Sequence, residues 1–301
     1  MRIHVVPDDT VIIAEAGESL LAASLRAGIP HAHACNGHAR CSTCRIHVDA
    51  GRVSPRTEAE QAMADRLGFD DSLRLACQTQ AESDLHIRRL VLDERDIGLL
   101  DQRTRIGQPA AAGRELELGI LFVDIKGFTS FSERLPPHDV VHVLNRFFDA
   151  MGACIVREQG VINNYMGDGF LALFGLDAPS ADPALQAVRA GLAMTQSMDA
   201  LKPYLHSAYG QEFDVRIGVH FGEVVVGLVG APGQQQITAI GDDVNFASRI
   251  EGACKEAETR LLVSDAVRER VGTQVEFGRT HTTPIRGRHG EHRLHEVVPG
   301  R

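Results

Sequence analysis

The chain has no run of about 18 apolar residues, so nothing in it reads as a membrane span. It also lacks an excess of positive charge: Lys and Arg number 31 against 40 Asp and Glu, a formal net charge of −9. That balance argues against general binding to nucleic acid or to an anionic membrane. An export signal is missing too, because the opening MRIHVVPDDTV turns polar too early. The expected location is therefore the cytoplasm. No internal repeat and no low-complexity stretch is found. Cysteine is sparse, six in 301 residues, and without export a disulfide framework is a poor reading of them. What is present, 44% apolar and 24% charged residues, describes a folded chain long enough for two domains.

The few cysteines are concentrated. Cys35, Cys41 and Cys44 fall within CNGHARCSTC, and Cys77 follows in LRLACQT, whereas Cys154 and Cys254 stand apart in apolar contexts and read as small core or surface residues. Residues 1 to about 90 read as one unit. IHVV and TVIIAEA form a hairpin around Pro7–Asp9, and SLLAASLRAG is a helix closed by Gly28. RIHVDAGRV is a strand and turn, TEAEQAMADRLG a short helix, LRLACQTQ an extended segment carrying Cys77, and DLHIRRL the closing segment. Four thiolates can hold either a structural Zn²⁺ or an iron–sulfur cluster. The small residues Gly37, Ala39, Ser42 and Thr43 favour the cluster, since they let backbone N–H groups approach bridging sulfides. Zinc knuckles more often use two CxxC pairs, and only Cys41–Cys44 has that form. His31, His33 and His38 read as solvent-facing.

CNGHARCSTCRIHV with LRLACQT downstream resembles a [2Fe–2S] ferredoxin of adrenodoxin-like spacing. The resemblance implies a β-grasp domain over residues 1–90 in which Cys35, Cys41, Cys44 and Cys77 ligate the cluster.

Residues 91–114 are charged, lack a sustained apolar face and end in Pro, Ala and Gly, as a linker or connecting helix does. From 115 to 297 strands and helices alternate as in an α/β or α+β domain. ELELGILFVDI reads as a buried central strand, VINNYM and FLALFG as a hairpin around Gly167-Asp168-Gly169, VRIGVHFG and EVVVGLVG as a pair of strands, and DDVNFASRIEGACKEA and LLVSDAVRERVG as helices. Asp124 ends the central strand ahead of a glycine turn, which suits Mg²⁺ with phosphate. Asp168 is either a turn residue or, if the strands are neighbours, a second carboxylate at the same edge. Asn245 and Arg249, four apart on a helix, share a face that can orient a ribose and stabilise charge on a transferring phosphate.

FVDIKGFTSFSE, NNYMGDGFLALFG, VRIGVHFGEVVVG and IGDDVNFASRIE resemble, in order and spacing, the class III nucleotidyl cyclase domain. The resemblance implies an α+β chain whose second domain has a ferredoxin-like βαββαβ core and works as a head-to-tail homodimer with active sites at the interface. It implies two Mg²⁺ (or Mn²⁺) ions on Asp124, Asp168 and the Ile125 carbonyl, with Phe128 and Thr129 in the phosphate turn. Asn245 and Arg249 would be contributed from across the interface, and Arg286 would grip the triphosphate. Members that take ATP usually carry Lys four residues before the hairpin aspartate, and those that take GTP carry Glu. Here the position is Asn164, and its base-reading partner is Thr238. Thr238 suits the 6-amino group of adenine, so the expected substrate is ATP, with a guanylate or relaxed-specificity cyclase as the alternative. The expected role of the cluster is redox control of cyclic AMP synthesis, with a redox partner protein as electron source. Other readings are a structural cluster, or a decayed cyclase domain attached to a working electron-transfer ferredoxin.

Overall fold

The computed structural model describes residues 1–90, 113–176, 182–231, 234–288 and 290–299. The chain divides into two units between Gly113 and Arg114. Of the stretch read as a linker, 91–112 lie outside the described residues, and Arg114 opens a strand.

The first unit is a five-stranded sheet of order β2-β1-β5-β3-β4, built from β1 (Arg2–Val6), β2 (Thr10–Ile13), β3 (Arg45–Ala50), β4 (Leu73–Leu75) and β5 (Leu85–Arg89). β1 runs antiparallel to β2 and parallel to β5, the β-grasp arrangement. Alternation buries Ile3, Val5 and Ile87 on one face, where they meet Leu20 and Ala23 of α1 (Leu20–Arg26). Ser19 caps α1 and Thr57 caps α2 (Glu58–Leu67), each accepting a backbone N–H at 3.2 Å. Glu60 of α2 is fully buried and bonds Arg74 through both oxygens, at 2.9 and 2.8 Å, and the Leu75 N–H at 2.8 Å. This satisfied pair fixes β4, whose end leads directly to Cys77. Cys77 itself lies in the turn after β4, not in an extended segment, because its neighbours fold back: the Gln78 and Thr79 N–H groups both bond the Leu75 carbonyl.

The second unit carries β6 (Arg114–Lys126), α3 (Phe128–Ser132), α4 (Pro137–Arg157), β7 (Val161–Met166), β8 (Gly169–Phe174), α5 (Pro183–Tyr209), β9 (Asp214–Val229), β10 (Gln236–Ile240), α6 (Asp242–Ala253), β11 (Leu261–Ser264), α7 (Asp265–Val271), β12 (Glu276–Pro284) and β13 (Glu291–Val298). Its sheet runs β12-β13-β11-β9-β6-β8-β7, with β10 on β9, so the core order β9-β6-β8-β7 is ferredoxin-like. One strand reading and one helix reading change. VRIGVHFG and EVVVGLVG form the single strand β9, because thirteen residues of β6 pair with it without a break and carry it straight through Gly222. LLVSDAVRERVG divides into β11 and α7, since Ser264 caps a helix there by accepting from Val267 N.

Both faces of β6 are covered. Leu121, Val123 and Ile125 meet the core that includes α4 and α5, while Leu118 and Ile120 face the opposite way, in a second cluster with Val224 and with Ala247 of α6. α6 lies against β9 at Gly218, where an added Cβ would stand 2.2 Å from the Glu251 nitrogen and 2.7 Å from the Ala247 carbonyl oxygen. Both neighbours are helix backbone and neither can rotate aside. Gly218→Ala is therefore expected to destabilise the second unit by about 3 kcal/mol, the upper range for overpacking. Urea unfolding followed by circular dichroism checks this, and an unchanged midpoint would refute it.

Among the described residues no helix is long and apolar enough to cross a membrane. Cys154 and Cys254 are both buried, as small core residues are.

Candidate active site and cluster site

In the first unit the loop between α1 and β3 carries three cysteines on a backbone turned inward. Asn36, Gly37 and Ala39 have φ of 55°, 86° and 56°, a conformation that aims successive N–H groups into the loop. The Ala39 N–H reaches the Cys77 sulfur and the Thr43 N–H reaches Cys41, whose Sγ also lies 3.2 Å from the Thr43 hydroxyl. The Gln78 amide spans the loop, donating to the Gly37 carbonyl at 3.0 Å and to the Cys77 Sγ at 3.7 Å.

The Cys41 sulfur has Cys35 as a neighbour, and the Cys44 sulfur has Cys77 and, further off, Cys41. Contact with Cys77, together with burial, pushes the Cys44 thiol up, and the same contact holds the Cys77 thiol down. Among the described residues no three His, Cys, Asp or Glu side chains converge on one ion position. Neighbouring sulfurs that do not converge on one position fit a dinuclear cluster, in which each iron takes two thiolates, better than one tetrahedral ion.

Of the three histidines expected to face solvent, His38 is exposed and His33 half-buried, but His31 is buried with neither ring nitrogen hydrogen-bonded. Burial, with the Arg89 cation nearby, pushes its pKa down to about 4. Arg89 explains the position. It bonds Asp8 at 2.7 and 2.6 Å and the Pro30 carbonyl at 2.7 Å, drawing the segment before Cys35 inward.

In the second unit Asp124 lies two residues before the end of β6, which runs on to Lys126 rather than ending at the aspartate, Asp168 closes the β7–β8 turn, and the antiparallel pairing of β6 with β8 brings the two carboxylates together. Burial and the Asp124 charge push the Asp168 carboxyl above its ordinary range. Asp124 is opposite Arg216 across β6 and β9, and Arg216 Nη2 donates to its Oδ2 at 2.7 Å. Arg216 Nε also lies 3.1 Å from Glu251 of α6, in an ion pair whose alignment falls short of a hydrogen bond. Burial, then the Asp124 charge, raises the Glu251 carboxyl to about 7. Three acids thus gather around one guanidinium. No three of these acids converge on one ion position, so the hard oxygen donors offered to a divalent cation are the Asp124 and Asp168 carboxylates, with Glu251 held on Arg216.

The sequence reading missed Arg216 and Glu251. An arginine inside the largely apolar VRIGVHF was the signal for Arg216. Ile125 is buried, Phe128 is half-buried with its ring 6.3 Å from that of Phe131, and Thr129 is exposed on the short α3. Gly127, which precedes α3, sits at φ 85°, a left-handed turn that favours glycine.

Asn245 is exposed on α6. The Arg249 guanidinium packs over Gly287, where a Cβ would lie 3.1 Å from Nη2, and Arg249 Nη1 is buried without a partner. Arg249 thereby adjoins the turn that carries Arg286, which is itself exposed. The neighbouring Arg288 bonds Asp242 and Asp243, each at 2.7 Å, and covers the Phe246 ring at 4.0 Å. Among the described residues no hydrogen bond or ion pair joins Asn245 or Arg249 to Asp124 or Asp168. Glu251, two positions beyond Arg249 and so about 200° round the helix, is the α6 side chain that turns toward them.

Asn164 and Thr238 are not brought together by any hydrogen bond. Asn164 is exposed, and Thr238 instead bonds Asn163. The cause is a register shift in the β7–β8 pairing, which passes from Ile162 to Asn164 and leaves Asn163 as the extra residue.

With this geometry in place, two matches to known families account for most of the chain. Residues 3–82 match the 2Fe-2S iron-sulfur cluster binding domain, and residues 111–297 match the adenylate and guanylate cyclase catalytic domain. Adenylate cyclase 1 of Rhizobium meliloti (strain 1021) is 37% identical over 190 residues, which is 62% of this chain and 28% of that protein. An adenylate cyclase of Anabaena cylindrica is 38% identical over 152 residues, 49% of this chain and 29% of that one. The chain thus matches under a third of the length of either relative. Among solved structures, the guanylyl cyclase Cya2 superposes with a TM-score of 0.57 at 32% identity, covering 62% of this chain and 93% of its own. The adenylyl cyclase CyaB from P. aeruginosa gives 0.58 at 26% identity, covering 62% and 96%. The chain belongs to the adenylate and guanylate cyclase catalytic domain family and carries a 2Fe-2S iron-sulfur cluster binding domain ahead of it.

Proposed function

We propose that this chain is a cytoplasmic adenylate cyclase that converts ATP to 3′,5′-cyclic AMP and pyrophosphate, and that its N-terminal cluster regulates it. The observation that carries the catalytic part is the meeting of Asp124 and Asp168 beside Arg216 in a half-buried site with surplus negative charge. Asp124, Asp168 and the Ile125 carbonyl would hold divalent cations, which would supply Lewis-acid activation of the ribose 3′-hydroxyl and neutralise charge on the phosphate. The 3′-hydroxyl gives up its proton to solvent, and its oxygen forms a bond to the α-phosphorus as the bond to the bridging oxygen breaks and pyrophosphate leaves. Asn245 orients the ribose, and Arg249 stabilises the charge that develops on the transferring phosphate. Arg286 and Arg216 offer cations to the triphosphate. On α6 it is Glu251, about 200° round the helix from Arg249, that faces the aspartates of its own chain, and Asn245 and Arg249 act on the site of a second copy in a homodimer.

A [2Fe–2S] cluster on Cys35, Cys41, Cys44 and Cys77 supplies one-electron redox chemistry. Support for its control of the second unit lies in Arg89 and Leu90, the last described residues before the connecting stretch. Arg89 holds the Pro30 carbonyl ahead of the cysteine loop, and the Leu90 N–H holds the Arg45 carbonyl just after it, at 3.3 Å. A change in the loop is therefore felt where the chain leaves the unit, and biasing the orientation of two subunits is enough to alter a site built between them.

The exposed amide of Asn164 supports a second reading, relaxed specificity, because an amide can both donate and accept. The test is product formation by anaerobically purified protein with Mn²⁺ and ATP or GTP, before and after dithionite. Cyclic AMP whose rate shifts with reduction is the expected result. A rate indifferent to reduction would remove the regulatory part. No product from either nucleotide would leave a decayed cyclase domain on an electron-transfer ferredoxin.

A further inference from the structure

We infer that Asn163 sets the base preference of this site by fixing which way the Thr238 hydroxyl points. The inference rests on the cyclase reading above and deepens it, naming 6-aminopurine nucleotides as the preferred substrate class.

Asn163 Nδ2 lies 2.7 Å from the Ile237 carbonyl oxygen of β10. A carbonyl can only accept, so the amide nitrogen has to occupy that side, and the orientation of Asn163 follows from chemistry alone. Its Oδ1 is then the atom that faces Thr238, at 3.2 Å. An amide oxygen also can only accept, so Thr238 has to donate. A hydroxyl carries one hydrogen. Once that hydrogen is given to Asn163, the half-exposed Thr238 oxygen presents only lone pairs to a bound base. Adenine offers its 6-amino donor at that edge, whereas guanine offers the O6 acceptor. Thr238 held in this way accepts from adenine and meets guanine acceptor to acceptor. The register shift in β7 makes Asn163 the extra residue, and a bulge of this kind re-aims a side chain.

At 3.2 Å the hydroxyl bond is long, so the preference it sets is modest. Removing it is expected to lower the ratio of kcat/KM for ATP to that for GTP about tenfold, the worth of one ordinary hydrogen bond. Asn163 acts through Thr238 and is a positioning residue.

The experiment measures kcat/KM for ATP and GTP in the full-length holoprotein and in Asn163→Leu, Thr238→Val and the double variant. Asn163→Leu is expected to narrow the ratio, chiefly by raising use of GTP, and to leave it unchanged once Thr238 is already valine. Asn163→Gln, which keeps both a donor for the Ile237 carbonyl and an acceptor for the Thr238 hydroxyl, is expected to restore part of the ratio. Equal losses for both nucleotides would show a purely structural role and overturn the inference. So would an effect of Asn163→Leu that persists in full without the Thr238 hydroxyl. On the unaltered chain, ITP carries the 6-oxo group of GTP without its 2-amino group, and its rejection alongside GTP is expected. ITP used as readily as ATP would overturn the inference without any variant having to fold. A wild-type chain that forms no cyclic nucleotide at all would instead defeat the cyclase reading, so the two failures are separable.

Discussion

Replacing Asp124 by asparagine is expected to lower cyclic nucleotide formation by about 10³-fold or more while the protein stays folded. A metal-held carboxylate contributes several kcal/mol of charge stabilisation in the transition state, and about 4 kcal/mol is three decades of rate. The stability side nearly cancels. The asparagine gives up the 2.7 Å charged bond from Arg216, but it also relieves the repulsion that raises the Asp168 carboxyl. Asp124 is 30% exposed and Arg216 21%, so solvent screens both effects, and the net change is expected within about 1 kcal/mol. Initial rates with Mn²⁺, paired with a thermal melt, separate the two quantities. A variant that retains a tenth of the activity would remove Asp124 from metal binding, and a variant that unfolds would make it structural.

Replacing Cys44 by serine is expected to abolish the visible absorption of the cluster and to lower cluster occupancy at least about a hundredfold, since even outer partners of metal ligands are worth ten- to a hundredfold in affinity. Cys44 is 1% exposed and its sulfur contacts that of Cys77, so no water and no neighbouring thiol can take its place. Its backbone is anchored independently, with the Ala76 N–H donating to the Cys44 carbonyl at 3.1 Å, so the sheet is expected to survive. Cys154→Ser is the control. That thiol is buried in the second unit beside the Ser197 hydroxyl at 3.3 Å, and its loss is expected to leave the spectrum unchanged. If the cluster regulates the cyclase, the Cys44→Ser protein forms cyclic AMP at one rate with and without dithionite. An intact spectrum in Cys44→Ser would remove this residue from the ligand set, and a dithionite response that survives loss of the cluster would disconnect the cluster from the activity.

Much of the molecule was legible in short stretches of sequence. Cysteine spacing identified the loop that carries the sulfurs, Gly167-Asp168-Gly169 marked the hairpin tip, and the unbroken apolar run before Asp124 marked a central strand. Each is a local property, set by turn chemistry or by a periodicity a few residues long. The contacts that give the site its character join distant positions. Arg216 meets Asp124 across 92 residues, and Asn163 meets Thr238 across 75. A periodic pattern says which face of a strand a residue occupies, but not which strand lies opposite or in what register, so the sequence reading passed over Arg216. Asn163 and Asn164 were harder still, since a single inserted residue in one strand changes which of the two amides turns toward β10. His31 makes the same point in the first unit. Nothing near it in sequence distinguishes it from His33 or His38, and it is buried because Arg89, 58 positions later, draws its segment inward by the carbonyl of Pro30. By itself the sequence determined which chemical groups the chain carries and the local turns that present them. The tertiary structure decided which of those groups face and bond one another, because that depends on strand register and on burial, which only the assembled sheet determines.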